Sequence, residues 1–249
     1  MKKIAIYGKG GIGKSTICCA LSLAFAEQGL RVLQVGCDPK ADSTLALRGG
    51  RKLPTVLAMM RERKNAFELS EVVCQGEGGV FLAEAGGPLP GLGCAGRGII
   101  TALEKLREKG VYELCRPDVV LYDVLGDVVC GGFSMPMRSG YADEVYIVTS
   151  GENMSIYAAA NIATALKNFE NRGYASLGGF ILNRRNVARE DEKVRELCQD
   201  FATRIVGDLP LSDNIRKADA EGRSVMAVAP DSAEADAIRG LARTIIPEL

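Results

Sequence analysis

The chain contains no histidine and no tryptophan. Without imidazole it lacks the commonest acid–base group of neutral pH and the commonest zinc ligand, so any metal falls to thiolates or carboxylates. Net charge is also absent, with 31 Lys and Arg against 31 Asp and Glu. That balance argues against a nucleic-acid binder whose affinity rests on bulk charge. No apolar run approaches the roughly 18 residues of a membrane span, which removes a membrane partner from the expectations. The N-terminal Met-Lys-Lys-Ile-Ala-Ile-Tyr runs straight into a glycine-rich motif and leaves no room for a signal peptide, so a cytoplasmic location is expected. There is no Pro- or Ser-rich linker, low-complexity tract or repeat, and one domain over 1–249 is the economical reading. A chain of 249 residues buries about three quarters of its extended surface and needs no staples to fold.

What is abundant is glycine, 29 residues, placed where short β-branched runs give way to longer segments. Strands are predicted over 3–7, 31–35, 80–83, 119–123, 144–149, 178–182 and 205–209. Helical periodicity covers 14–27, 97–108, 154–169 and 190–201. Alternation of this kind predicts an α/β fold with a mostly parallel β-sheet and helices on both faces. Glycines at the carboxyl ends of such strands mark the edge where ligands bind.

Gly8-Lys9-Gly10-Gly11-Ile12-Gly13-Lys14-Ser15 fits the phosphate-loop pattern between an apolar strand and a helix. Backbone N–H groups of such a loop close around phosphate oxygens, the following helix adds its positive end, Lys14 reaches the β/γ-phosphates and Ser15 holds Mg²⁺. The plain alternative is a chance glycine-rich turn. Lys9 inside the loop resembles the second lysine of the dimeric ATPases that place septa and partition DNA, where it crosses the dimer interface; the alternative is a solvated loop lysine. Asp38 follows the second strand and can order Mg²⁺-bound or attacking water. Asp123 ends the apolar strand Val119-Val120-Leu121-Tyr122, the position of a Mg²⁺-ordering carboxylate, and Asp127 four residues on is placed to sense the γ-phosphate. For each single aspartate a helix N-cap is the bland reading, and for Asp42, three residues before Leu45, it stands level with a functional one.

Of the eight cysteines, Cys94 and Cys130 sit among glycines beside a predicted helix start and a strand end. Glycine neighbours admit a bulky ligand to the backbone, and a helix N-terminus favours thiolate. Cys18, Cys19, Cys37, Cys74, Cys115 and Cys198 read as core thiols. A [4Fe–4S] cluster takes four thiolates, so two per chain suits a cluster shared by a dimer, although buried or redox-sensitive cysteines give the same pattern.

Together the segments Gly8–Ser15, Gly36-Cys37-Asp38-Pro39-Lys40-Ala41-Asp42-Ser43-Thr44, Gly93-Cys94-Ala95-Gly96-Arg97-Gly98-Ile99, and Tyr122-Asp123-Val124-Leu125-Gly126-Asp127-Val128-Val129-Cys130-Gly131-Gly132-Phe133 resemble the nitrogenase iron protein family. The resemblance continues through Tyr146–Glu152 and Asn183–Asn186. It implies a homodimer sharing one [4Fe–4S] cluster on Cys94 and Cys130 of both chains. It implies MgATP or MgADP held by Gly8, Lys9, Gly10, Gly11, Ile12, Gly13, Lys14, Ser15, Thr16, Asp38, Lys40, Asp123 and Asn183. Lys9, Lys14, Asp38 and Asp127 would carry the hydrolysis, Asp38–Asp42 forming one switch and Asp123–Gly132 another that runs to the cluster ligand. Arg97 resembles the arginine used in partner docking. The implied activity is ATP-dependent delivery of low-potential electrons, one at a time, to a separate catalytic component of the MoFe or tetrapyrrole-reductase type, with ferredoxin or flavodoxin as donor. A cluster-free septum- or partition-type ATPase and an iron–sulfur carrier ATPase are the competing readings. The sequence departs from the family over 49–71, around 173–176, at Arg184 where a small residue is expected, and in ending at Leu249.

Overall fold

The computed structural model describes residues 1–87, 95–126, 137, 140–169 and 173–247. β1 (Lys2–Gly8) leads into α1 (Lys14–Glu27), β2 (Val32–Cys37), α2 (Val56–Arg63), α3 (Leu69–Val72), β3 (Val73–Gln75) and β4 (Phe81–Glu84). α4 (Ala95–Glu108), α5 (Val111–Cys115), β5 (Val119–Val124), β6 (Glu144–Thr149), α6 (Asn153–Phe169) and β7 (Ser176–Asn183) follow. The chain continues through α7 (Glu190–Asp200), β8 (Ile205–Leu209), α8 (Asp213–Ala220), α9 (Val225–Val228) and α10 (Ala233–Ile245).

The strands form one sheet in the order β3-β4-β2-β5-β1-β6-β7-β8, parallel except where β3 meets β4. Every predicted strand is present, within two residues of its expected ends. β3 was not expected: it is three residues long, lies at the edge and contributes too few residues for a period-two signal. Alternate β1 side chains serve opposite faces. Ile4 and Ile6 join a core packed under α1, α9 and α10, while Ala5 and Tyr7 join a second core under α2, α4, α6 and α7. Being covered on both sides, β2 and β5 are buried at every position, which is why they read as nearly continuous apolar runs, interrupted by Gln34 and Asp123.

α1 buries ten of its fourteen residues and so carries little amphipathic contrast. α10 is the opposite case. Ala235, Ile238, Leu241, Ala242 and Ile245 make one apolar stripe, and the Ser232 hydroxyl caps the helix by accepting from the Ala235 N–H.

From β1 the chain moves to one side of the sheet for β2 and β4, and to the other for β6, β7 and β8. The carboxyl end of β1 is therefore a topological switch point, the crevice where open α/β sheets bind ligands.

Candidate nucleotide site

The loop from Gly8 to Gly13 fills that crevice. Lys14 is buried, and its Nζ donates to the Lys9 carbonyl at 3.1 Å, the same carbonyl that accepts from the Ile12 N–H at 3.2 Å. Its ammonium thus lies within the loop, where anionic oxygens would be held. The chain leaving β5 passes directly over the loop at Gly126. A Cβ there would meet the Gly10 nitrogen at 2.4 Å, the Gly8 carbonyl at 2.6 Å and the Lys14 Nζ at 2.7 Å, so only glycine fits. Asp127, the next residue, lies outside the described residues.

Asp123 lies inside β5, in register with Ile6 on one side and Gly36 on the other, so it is not a helix cap. It is 2% exposed and within reach of the Ser15 and Ser43 hydroxyls. Burial raises its pKa, the two hydroxyls and Lys14 oppose that rise, and Asp38 adds to it. Its Oδ2 is buried and has no hydrogen-bond partner, a state that leaves a full desolvation cost standing. Beside the Ser15 hydroxyl this orphaned oxygen belongs to a hard oxygen donor set of the kind Mg²⁺ takes. The residues fit Mg²⁺-nucleotide.

Asp38 folds an Asx turn after β2. Its Oδ1 accepts from the Lys40 N–H at 2.9 Å, and its carbonyl from the Ala41 N–H at 3.0 Å. Ala41 then sits at φ +51°, a left-handed conformation that costs a non-glycine residue energy and is common at functional loops. Asp42 is exposed. The Leu45 N–H points to its backbone carbonyl at 3.4 Å, so the side-chain cap considered for Asp42 is not formed.

Next to Asp123 stands a carboxyl that sequence reasoning missed. Glu84, the last residue of β4, is fully buried; its Oε1 accepts from both the Thr44 N–H and the Thr44 hydroxyl at 2.8 Å. Its Oε2 is buried without a partner. Burial pushes its pKa up to about 7, with Asp123 and Asp42 adding to the rise and the Thr44 bonds opposing it. A signal existed, since Phe81-Leu82-Ala83-Glu84 has the same form, apolar strand then acid, as Val119 to Asp123.

On the other side of the loop, Asn183 at the end of β7 donates from Nδ2 to the Ile12 carbonyl at 2.7 Å. It lines a cavity of about 250 Å³ with Gly11, Gly13, Thr16, Arg185 and the stretch Leu209-Pro210-Leu211-Ser212. Arg185 leans on the loop, 3.4 Å from the Gly11 and Ile12 carbonyls. Buried Glu190 braces the turn by accepting from the Gly151, Arg185 and Asn186 N–H groups at 2.9, 3.0 and 3.1 Å. Arg184, where a small residue was expected, forks onto both oxygens of Asp208 at 2.6 Å and reaches Asp191 at 2.9 Å. Neither Glu190 nor the Leu209–Ser212 stretch carried a recognisable sequence pattern.

Five of the cysteines read as core thiols are buried and Cys74 is half-buried. Burial raises the Cys18 and Cys37 thiols well above their ordinary range, Cys19 to about 12 and Cys115 to about 11, which makes them poor thiolates. Among the described residues no three Cys, Asp or Glu side chains gather as a metal-binding group. Cys94 and Cys130 lie outside the described residues. Arg97 is exposed in the first turn of α4. The structure thus brings Lys9, Lys14, Ser15, Asp38, Asp123 and Asn183 to one edge of the sheet.

Among solved structures, the chain is similar to the cell-division ATPase MinD of Pyrococcus furiosus (TM-score 0.76, 21% identity, covering 100% of this chain and 99% of that one). It is also similar to a ParA-family ATPase from Chlorobium tepidum (TM-score 0.75, 19% identity, 97% of each chain). At such identities these show the phosphate-loop ATPase fold. Sequence relatives are nearer. The nitrogenase iron protein of Methanococcus voltae is 48% identical across 98% of this chain and 88% of its own length. Nitrogenase iron protein 2 of Methanothermobacter thermautotrophicus is 49% identical across 98% and 89%. The profile of the 4Fe–4S iron sulfur cluster binding proteins, NifH/frxC family, matches residues 2–248, and the chain belongs to that family.

Proposed function

We propose that the chain is the ATP-hydrolysing reductase of a two-component system, delivering low-potential electrons singly to a separate catalytic protein. The observation that carries this reading is the joining of a complete phosphate site to Asp123, from which the sequence runs only seven residues to Cys130. The family's cofactors are a [4Fe–4S] cluster and MgATP. Here Cys94 and Cys130 of two chains would hold the cluster, which supplies one-electron chemistry when bound.

The chain's own residues have separable tasks. Lys14 and the loop amides take the phosphates, Ser15 and Asp123 take Mg²⁺, Asp38 orders the Mg²⁺-bound or attacking water, Asp127 senses the γ-phosphate, and Asn183 faces the base. Lys9 acts on the nucleotide of the partner chain. It stands on the same sheet edge as Met154 and Tyr157, each 63% exposed at the start of α6, an apolar face that a second copy would cover. Arg97 on α4 belongs to the docking surface for the catalytic protein, which is of the MoFe or tetrapyrrole-reductase type, and ferredoxin or flavodoxin supplies the electrons. Each nucleotide shifts the dimer only by its differential affinity for the two arrangements.

Anaerobic purification with iron and sulfide counted per dimer tests this, followed by EPR after dithionite reduction. About four irons and a reduced-cluster signal are expected, lost in Cys94→Ser and in Cys130→Ser. A colourless dimer that still hydrolyses ATP would replace the reading with a partition-type ATPase. A cluster that passes whole to recipient proteins would replace it with an iron–sulfur carrier.

A further inference from the structure

β4, β2 and β5 are neighbours, and at one level they carry Glu84, Gly36 and Asp123 in register. Register partners point to the same face, so two carboxyls flank a position with no side chain. The gap is obligatory. A Cβ on Gly36 would lie 1.9 Å from Glu84 Oε2 and 2.7 Å from the Ser43 Cβ. Into this gap comes Ser43-Thr44, the end of the loop that begins at Asp38.

The dipeptide is held from three sides. Asp123 reaches the Ser43 hydroxyl, and Glu84 Oε1 takes both donors of Thr44. Behind them, Gln34 Nε2 donates to the Ser43 carbonyl and hydroxyl at 3.0 Å, and the Cys19 thiol donates to the same carbonyl at 3.0 Å. Among the described residues, the titratable groups felt by Glu84 are Asp123 on β5, Asp42 on the loop and Cys19 on α1, with Cys37 behind it on the other face of β2. A buried carboxyl with one oxygen doubly bonded and the other unpartnered is costly in a purely structural role. Such a cost is retained where it fixes a conformation that function uses.

We propose that Glu84 is a positioning residue of the nucleotide switch, anchoring Ser43-Thr44 so that Asp38 can order water beside the γ-phosphate of ATP. It acts through Thr44 and touches neither nucleotide nor metal. The inference rests on the ATPase reading above and deepens it, for it gives the loop after β2 its own buried carboxylate beside the one on β5. Between the anchor and Asp38 lies the left-handed Ala41, a backbone position that a shift of the anchor would relax.

The test compares Glu84→Ala, Glu84→Gln and Thr44→Val with the unaltered homodimer, reading the dissociation constants of MgADP and of a non-hydrolysable MgATP analogue. ADP has no γ-phosphate, so its affinity is expected to stay within about threefold in every variant. Glu84→Ala is expected to lose about tenfold in affinity for the ATP analogue, with kcat for hydrolysis falling and KM for ATP rising together. Glu84→Gln keeps an acceptor for Thr44 and should return most of that loss. Thr44→Val removes one of the two bonds and should lose about threefold, again for the ATP analogue alone. Hydrogen exchange at the Ser43–Leu45 amides should slow on binding the analogue in the unaltered protein and not in Glu84→Ala. If Glu84→Ala does not fold, Thr44→Val and Glu84→Gln decide the matter by the same ratio. Equal losses for ADP and the ATP analogue, or no loss in either, would overturn the role of Glu84 and leave the ATPase reading intact. An unaltered protein that binds neither nucleotide overturns both.

Discussion

The two flanks of the phosphate loop are built differently. On the Asn183 side the polar groups form a closed set, with Glu190 accepting three backbone N–H groups, Arg184 spanning Asp208 and Asp191, and the Asn183 amide fixed to the Ile12 carbonyl. On the Asp38 side, Asp123 and Glu84 are as deeply buried, yet each keeps an oxygen with no partner. Satisfied networks rigidify, whereas unsatisfied buried oxygens store a cost that a bound cation or a rearrangement can relieve. On the proposed reading, one flank is a finished surface for the base, and the other would be completed by Mg²⁺ and the γ-phosphate. A protein that must tell ATP from ADP needs its unfinished side where the two nucleotides differ.

The comparison can be broken most forcefully at its centre. Lys14→Ala removes the ammonium held within the loop between the two flanks, and ATP hydrolysis should fall by at least about a hundredfold at saturating ATP with the circular dichroism unchanged. A smaller fall would mean the loop amides alone carry the phosphates.

The unfinished flank has its own signature in pH. Glu84 has its pKa raised from 4.5 to about 7 by burial, so its stabilising effect is complete below about pH 4.5 and is lost as pH rises to about 7. Urea titrations of the nucleotide-free protein should show the unaltered chain losing about 3 kcal/mol relative to Glu84→Gln over that window. Asp123 is raised in the same direction, and only the part of its shift that is independent of Glu84 cancels between the two proteins. Parallel curves would show that Glu84 is better compensated than its geometry implies.

On the finished flank the effects should be smaller and indifferent to the γ-phosphate. Asn183→Ala should weaken ATP and ADP alike, by about tenfold, in equilibrium dialysis. A loss confined to ATP would move Asn183 to the switch side and erase the contrast. Arg184→Ser tests the departure from the family. Its partly exposed ion pairs should be worth about 1 kcal/mol of stability, seen as a lower thermal midpoint, with nucleotide affinity nearly constant.

The legibility of the site divides along the same line. The phosphate loop was legible because its chemistry needs particular residues at fixed offsets in one short segment. Asp123 was legible because an apolar strand that ends in an acid is unusual. Glu84 has the same form and was passed over, because nothing local shows that its strand lies two places from β5 with only Gly36 between. Glu190 was lost for a related reason. It reads as one of three acids opening a helix, and only the fold turns it inward beneath Gly151.

By itself the sequence determined the parallel sheet, its helical cover and the nucleotide loop, since periodicity and backbone-shaping glycines are local properties written in consecutive residues. It also determined which two cysteines stand among glycines, and of the six it assigned to the interior five are buried, with Cys74 half-buried. The tertiary structure alone decided which acids face each other, which are satisfied and which are left open. Those depend on strand order and register, which bring positions 36, 84 and 123 to one level of the sheet and which no local segment encodes.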